Sequence, residues 1–293
     1  MRRRLSREER TAYALVAPVV LYTASFVLYP LLLACYLGLT NATVANPGKF
    51  VGLENFVRIL QMRSFRTTLY NTGLYFSVAV ALKASLGLVL ALLLHRITVF
   101  SRPIRAIILL PWVTPIAFTA IAWRWIFDPQ YSCLNWALRS VGIINRNIAW
   151  LSFPSYARIA VIAVNIWRGL PFFALNILAG LKTIPQELYE AAKVDGAGAW
   201  TQFTRITMPL IAPVFAMVVL FSTIMTISDF TIVYTLTKGG PMDSTHLLAT
   251  LAYQTGLTAG FLGRGAAIAL FLFPVLLIVV YLQLRIMRKR WSW

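Results

Sequence analysis

The chain has 293 residues, of which 59% are hydrophobic and only 12% charged, with a formal net charge of +18 at neutral pH. Average soluble domains run at roughly 45–50% apolar and about 25% charged. A water-soluble globule cannot hide this much apolar surface, which excludes a soluble enzyme, a disordered chain and, with Cys35 and Cys133 as the only cysteines, a disulfide scaffold. In a soluble protein the positive charge would point to nucleic acid; here it reads as the Lys/Arg bias that orients membrane helices, and no nucleic-acid partner is expected.

A bilayer-spanning helix needs about 20 mostly apolar residues, at about 1.5 Å each, to cross about 30 Å of hydrocarbon. Qualifying stretches run over 11–39, 67–94, 104–127, 157–181, 210–236 and 266–284. None alternates with the period of a barrel strand. The expected fold is therefore all-α, a six-helix polytopic membrane bundle over 11–293, preceded by a tail of 1–10 and interrupted by a polar loop of 182–209. Pro111, Pro115 and Pro274 are expected to kink the third and sixth spans as a matter of packing. Lys83 and Arg124 are expected to snorkel toward an interface, and Trp residues other than Trp200 to anchor or pack.

Basic residues set the orientation. One set of segments carries Arg2, Arg3, Arg4, Arg7, Arg10, Arg96, Arg102, Arg105, Lys182, Lys193, Arg205, Arg285, Arg288, Lys289 and Arg290, whereas the opposite set carries Lys49, Arg58, Arg63, Arg66, Arg139, Arg146 and Lys238. The bias places both termini in the cytoplasm. Leu32-Leu33-Ala34-Cys35 loosely resembles a lipoprotein cleavage site, but the apolar run before it exceeds the 7–15 residues of a signal h-region, so a retained first span is the expectation.

No nucleotide loop, zincin motif or zinc-spaced cysteine pair is present, His95 and His246 lack a carboxylate neighbour in this reading, and no metal is expected. A catalytic site is therefore not expected, and Gly239-Gly240-Pro241 reads as a turn. In the 182–209 loop, Thr183 with Gln186 forms a capping-box pattern and Pro185 suits a first helical turn. Glu187 and Glu190 complement the helix dipole, and Gly196 stops the helix. Trp200, Phe203 and Ile206 mark a second amphipathic turn, and Pro209 and Pro213 open the next span. On local physics this is either a helix resting on headgroups or a docking knob, with Ala191 and Ala192 small enough to lie in a partner's groove.

Glu190-Ala191-Ala192, three residues, Gly196, nine residues, then Ile206-x-Met208-Pro209 resembles the EAA motif of permease subunits of binding-protein-dependent ABC importers, with Met208 where that family usually has leucine. Val51-Gly-Leu-Glu-Asn-Phe56 and Gly239-Gly-Pro241 followed by Thr245-x-Leu247 are similar to its carbohydrate branch, the maltose/glycerol-3-phosphate type. The resemblance implies the MetI-like permease fold in a prokaryotic inner membrane. It also implies a second homologous permease, two ATP-binding subunits that hold ATP and magnesium, and an extracytoplasmic solute-binding protein. No cofactor is then bound by this chain. Glu187, Glu190, Ala191, Ala192, Asp195, Gly196 and Pro209 would couple it to the ATPase.

Polar groups inside spans are costly and face bundle interiors. The fourth span offers Asn165, Arg168 and Asn176, and the fifth offers Ser222, Thr223, Thr226, Ser228 and Asp229. Ser222, Thr226 and Asp229 share a helical face. Helix–helix glue, including an Arg168–Asp229 pair, and a solute path remain equal on those grounds. Trp167-x-Gly169-x-Pro171 and the Gly239-Gly240-Pro241 landmark match the maltose-type pattern. That match implies solute contacts at Arg168, Gly169, Phe172, Ser222, Met225, Thr226 and Asp229, of which only Ser222 and Gly169 keep the maltose residue type. The resemblance implies import of a sugar or polyol, and Arg168 would also admit an anionic solute. The alternatives are an ion-coupled secondary transporter, for which Asp229 is the sole intramembrane carboxylate found and no inverted repeat is evident, and a membrane scaffold without transport.

Overall fold

The computed structural model describes residues 6–97 and 100–290; Arg2, Arg3 and Arg4, used above for orientation, lie outside the described residues. In chain order the helices are α1 (Arg7–Thr23), α2 (Tyr29–Gly38), α3 (Glu54–Gln61), α4 (Arg63–Arg96), α5 (Ser101–Val113), α6 (Ile116–Ile126), α7 (Cys133–Ser140), α8 (Pro154–Leu181), α9 (Gln186–Val194), α10 (Ala199–Gln202), α11 (Met208–Ile227), α12 (Thr231–Thr237), α13 (Leu248–Tyr253), α14 (Leu262–Leu270) and α15 (Leu272–Arg290). Single π-helical turns at Ala24–Leu28 and Phe203–Thr207 join α1 to α2 and α10 to α11, and a third follows α13.

Among the described residues, five helical runs are long and apolar enough to cross a bilayer, and α5 with α6 makes a sixth only as a pair bent by 90°. The third span is thus not the single helix expected over 104–127. Pro115 pushes Thr114 into an extended conformation (ψ 132°), which ends α5 and restarts the helix in a new direction. The fifth span also departs from the expected 210–236. It begins earlier, at Ala199, runs through the π turn, and stops at Ile227. Beyond that point Asp229 turns its carboxylate onto the backbone N–H of Ile232 (3.3 Å) and starts α12 instead. Pro274 lies in the first turn of α15, where a missing N–H costs nothing, just after the one-residue interruption at Phe271 that divides the sixth span.

The described residues fall into two units, the chain crossing between them after Gln61, Leu251 and Phe271. In the smaller unit Ser6 and Glu9 form a reciprocal capping box that starts α1. The most apolar stretch of its long run, Thr11–Gly38, buries nothing within the chain, which leaves it for lipid or a partner. α14 packs on α2, where Gly38 and Gly263 let the backbones approach. Asn55 donates to the carbonyls of Gly38 (2.9 Å) and Thr40 (2.7 Å), satisfying acceptors that the end of α2 leaves open. This gives the Val51–Phe56 motif a structural role.

The larger unit is organised by α4 against α8. One core cluster gathers Ala91, Leu94, Phe173, Ile177, Leu181 and Ile211 from α4, α8 and α11. A second gathers Tyr75, Phe127, Val161, Val164, Ile232 and Val233 around α12. Gly87 permits the α4–α8 contact, because a Cβ there would collide with Phe173 Cβ. Gly87→Val should therefore overpack this seam by about 1–3 kcal/mol and lower the thermal midpoint of the purified chain. An unchanged midpoint would show that the helices are not in such close contact.

Candidate functional site: a cavity within the bundle and an exposed helix at one end

Three ionisable side chains meet inside the larger unit. Lys83 of α4 is 3% exposed and donates from Nζ to Asn165 Oδ1 (2.8 Å) and Thr226 Oγ1 (2.8 Å). Asn165 of α8 in turn donates from Nδ2 to Asp229 Oδ2 (3.0 Å), which also accepts from the Tyr75 hydroxyl (2.6 Å). The network ties α4, α8, α11 and the entry to α12 into one polar knot. Such a knot survives in an apolar bundle only if its members satisfy one another.

Lys83 does not snorkel: its stem crosses Gly169, where a Cβ would fall 2.5 Å from Lys83 Cδ, and its ammonium is held at depth. Arg168 and Asp229 do not pair. The carboxylate is taken by Tyr75, Asn165 and Ile232, and the buried Arg168 Nε has no hydrogen-bond partner. Arg124, by contrast, is exposed.

The knot forms one wall of a cavity of about 470 Å³, within the range of small-ligand sites. All the residues expected to meet solute line it: Arg168, Gly169, Phe172, Ser222, Met225, Thr226 and Asp229. Other polar groups of these helices are spent elsewhere. Asn176 donates to the Phe172 carbonyl (2.7 Å), and Thr223 accepts from Gln283 of α15 (2.8 Å). Glue and cavity lining thus divide between neighbouring positions, and Thr226 does both.

The same cavity holds an aromatic cluster, of which the sequence had singled out only Phe172. Trp112 stacks on Phe172 (centroids 6.0 Å, 18°), which contacts Phe221 at 5.3 Å. Trp112 and Ile116 flank the break between α5 and α6 and both line the cavity, so the prolines of this span shape the site as well as its packing. The pattern Pro111-Trp112-x-x-Pro115 was the available signal.

At one end of the unit, α9 presents Glu187, Glu190, Ala191, Asp195 and Gly196 at the surface, with Ala192 half-buried. The expected Thr183–Gln186 capping box is absent, since the Thr183 hydroxyl donates back to the Gly180 carbonyl (2.8 Å) and Pro185 holds the N-cap. The helix ends in a Schellman motif: Gly196 (φ 76°) donates to the Lys193 carbonyl at 3.0 Å, and Ala197 to that of Ala192 at 2.8 Å. Tyr189 hydrogen-bonds Thr207 (2.9 Å), fastening α9 to the base of α11 just before the exposed Pro209. None of Glu187, Glu190 and Asp195 forms an ion pair with a described residue. Mechanically, α9 is an exposed helix hydrogen-bonded to the turn that leads into α11, the helix whose later residues line the cavity.

Gly239-Gly240-Pro241 is the expected turn, closed by Thr245 Oγ1 donating to the Gly240 carbonyl (2.7 Å). His246 is buried beneath Gly239 and, contrary to expectation, does have a carboxylate near it, Asp243 at 3.7 Å. Cys35 and Cys133 are free, and no metal-binding cluster occurs among the described residues.

Residues 83–292 match the family described as "Binding-protein-dependent transport system inner membrane component", and the chain belongs to that family. It is thus an inner-membrane permease subunit of a transport system served by a solute-binding protein. It is 34% identical over 285 residues to the trehalose/maltose transport system permease protein MalF of Thermococcus litoralis, covering 97% of this chain and 96% of that one. It is also 34% identical over 281 residues to the sulfoquinovosyl glycerol transport system permease protein SmoG of Agrobacterium fabrum, with coverage of 95% and 91%. Among solved structures, the fold matches a chain of a bacterial alginate ABC transporter in complex with an alginate pentasaccharide-bound periplasmic protein. The TM-score is 0.84 at 22% identity, covering 97% of this chain and 96% of that one. The fold is that of the ABC importer permeases, as the EAA-like motif implied.

Proposed function

We propose that this chain forms the transmembrane path for a sugar or polyol-type solute, opened alternately to the two sides by ATP bound and hydrolysed on partner subunits. The observation that carries this reading is the cavity itself. Its lining combines the aromatic cluster of Trp112, Phe172 and Phe221, suited to the apolar faces of a sugar ring, with Ser222, Thr226 and Asn165 as hydrogen-bonding groups. The relatives named for trehalose/maltose and for sulfoquinovosyl glycerol support the same class.

Two ATP-binding subunits would hold ATP and magnesium, and a second permease would complete the pathway; this chain supplies no catalytic group. Glu187, Glu190, Ala191, Ala192, Asp195, Gly196 and Pro209 would form the coupling surface, with α9 seated in a cleft of the ATPase and both termini in the cytoplasm. The exposure of α9 and its unpaired carboxylates support that assignment.

Trp112→Ala should raise the KM for uptake of the native solute about tenfold, the order expected from losing part of one buried aromatic contact, while the chain stays in the membrane. An unchanged KM removes the aromatic cluster from the path. Uptake should stop on ATP depletion and survive a proton uncoupler. The opposite pattern replaces the reading with an ion-coupled carrier working through Asp229.

A further inference from the structure

We infer that the solute carries an anionic group, a carboxylate, sulfonate or phosphate on the sugar, which pairs with Arg168 in the cavity. The inference rests on the sugar-permease reading and narrows it. The cavity is lined by the cations Lys83 and Arg168 and the single anion Asp229. Those charges are not equivalent. Lys83 and Asp229 answer each other through Asn165, which accepts from the ammonium and donates to the carboxylate. Thr226 and Tyr75 complete the two ends. The pair is internally neutral, so the network offers a ligand no net charge.

Arg168 stands outside it. One helical turn beyond Asn165 on α8, it faces the same cavity, yet its Nε is buried without a hydrogen-bond partner and no described carboxylate forms a salt bridge with it. Gly169 contributes to this separation. Having no Cβ, it lets the Lys83 stem cross α8 and reach Asn165, so Lys83 is fixed on the knot and Arg168 remains the one uncompensated charge on the wall. Arg168 is half-buried in a cavity also lined by Trp112, Phe172 and Phe221, and its Nε has lost water without gaining a partner, a costly state in a membrane bundle. A planar anion offers it two parallel hydrogen bonds and the missing counter-charge, while a neutral sugar offers only weak hydroxyl acceptors.

The test uses the complete transporter in its native cells, with this chain deleted and then restored as wild type, Arg168→Gln or Arg168→Lys. Cells are fed neutral hexose disaccharides and, separately, their uronosyl and phosphorylated counterparts, and uptake is read by mass spectrometry. Membrane abundance is checked by immunoblot. The expected result is chain-dependent uptake of acidic over neutral sugars by about tenfold, the ratio for about 1.4 kcal/mol. Arg168→Gln should lose that preference at wild-type abundance, and Arg168→Lys should keep part of it. Equal uptake of both sets, unaltered by Arg168→Gln, overturns the anionic assignment and leaves the sugar reading standing. If neither set depends on the chain, the sugar reading itself falls and the inference with it.

Discussion

Gly196→Asp is expected to reduce uptake by about a hundredfold or more, a loss of about 2.7 kcal/mol or greater, while the chain still inserts at normal abundance. Gly196 holds φ at 76°, a region where a residue with a side chain costs about 1–2 kcal/mol and Asp is among the least penalised. A Cβ at this position meets nothing within 4 Å in the chain, so internal collision cannot cause a large defect. On the docking proposed for α9, the loss comes from a partner pressed against the end of that helix. Gly142 supplies the control, because it too has φ 76° and open space around its Cβ. Gly142→Asp carries the same backbone cost in the loop after α7 and should leave uptake within about twofold. Equal defects in the two variants would mean that strain, and not docking, is being measured.

The second large effect concerns the buried knot. Asp229→Ala strands the Tyr75 hydroxyl, the Asn165 amide and the charge of Lys83; Lys83→Met strands Asp229. Removing one partner of a buried charge network typically costs about 3–5 kcal/mol, whereas removing both with apolar replacements is close to neutral. Each single variant should lower both thermal midpoint and uptake. The double variant should be more stable than the sum of the two predicts, by more than about 1 kcal/mol of coupling. Additive effects would sink the claim that Lys83 and Asp229 act as one unit across 146 residues of sequence.

The spans were legible because the bilayer imposes a length, and 59% apolar content leaves few other readings. Their ends were less so. The fifth span was read through to Leu236 on hydropathy, although Ser228-Asp229 already marked the place where a carboxylate claims a backbone N–H and restarts the helix. The third span looked continuous because an average over its residues does not register that Pro115 dictates the conformation of Thr114.

The expected solute residues all line one cavity, while the EAA-like spacing is spread over α9, the turn at Gly196 and the start of α11, only its Glu190-Ala191-Ala192 part lying on the exposed helix α9. Lys83 was misread for a definable reason. A lone lysine within an apolar helix has no local partner, and the residues that hold it lie 82 and 143 positions away. Trp112 was hidden in the same way among nine tryptophans, since only tertiary stacking separates a wall of the site from an interface anchor. The carboxylate neighbour of His246, by contrast, is local: Asp243 lies only three residues before it and was legible in the sequence.

The central claim is that α9 transmits the closure of an ATPase to the helices that line the cavity. The direct measurement is a photo-crosslinking amino acid at Val194, which is 88% exposed on α9, in native membranes with and without ATP. A crosslink to an ATP-binding subunit whose yield changes with nucleotide is the predicted result. Capture of lipid alone, in both conditions and with active transport, would contradict it.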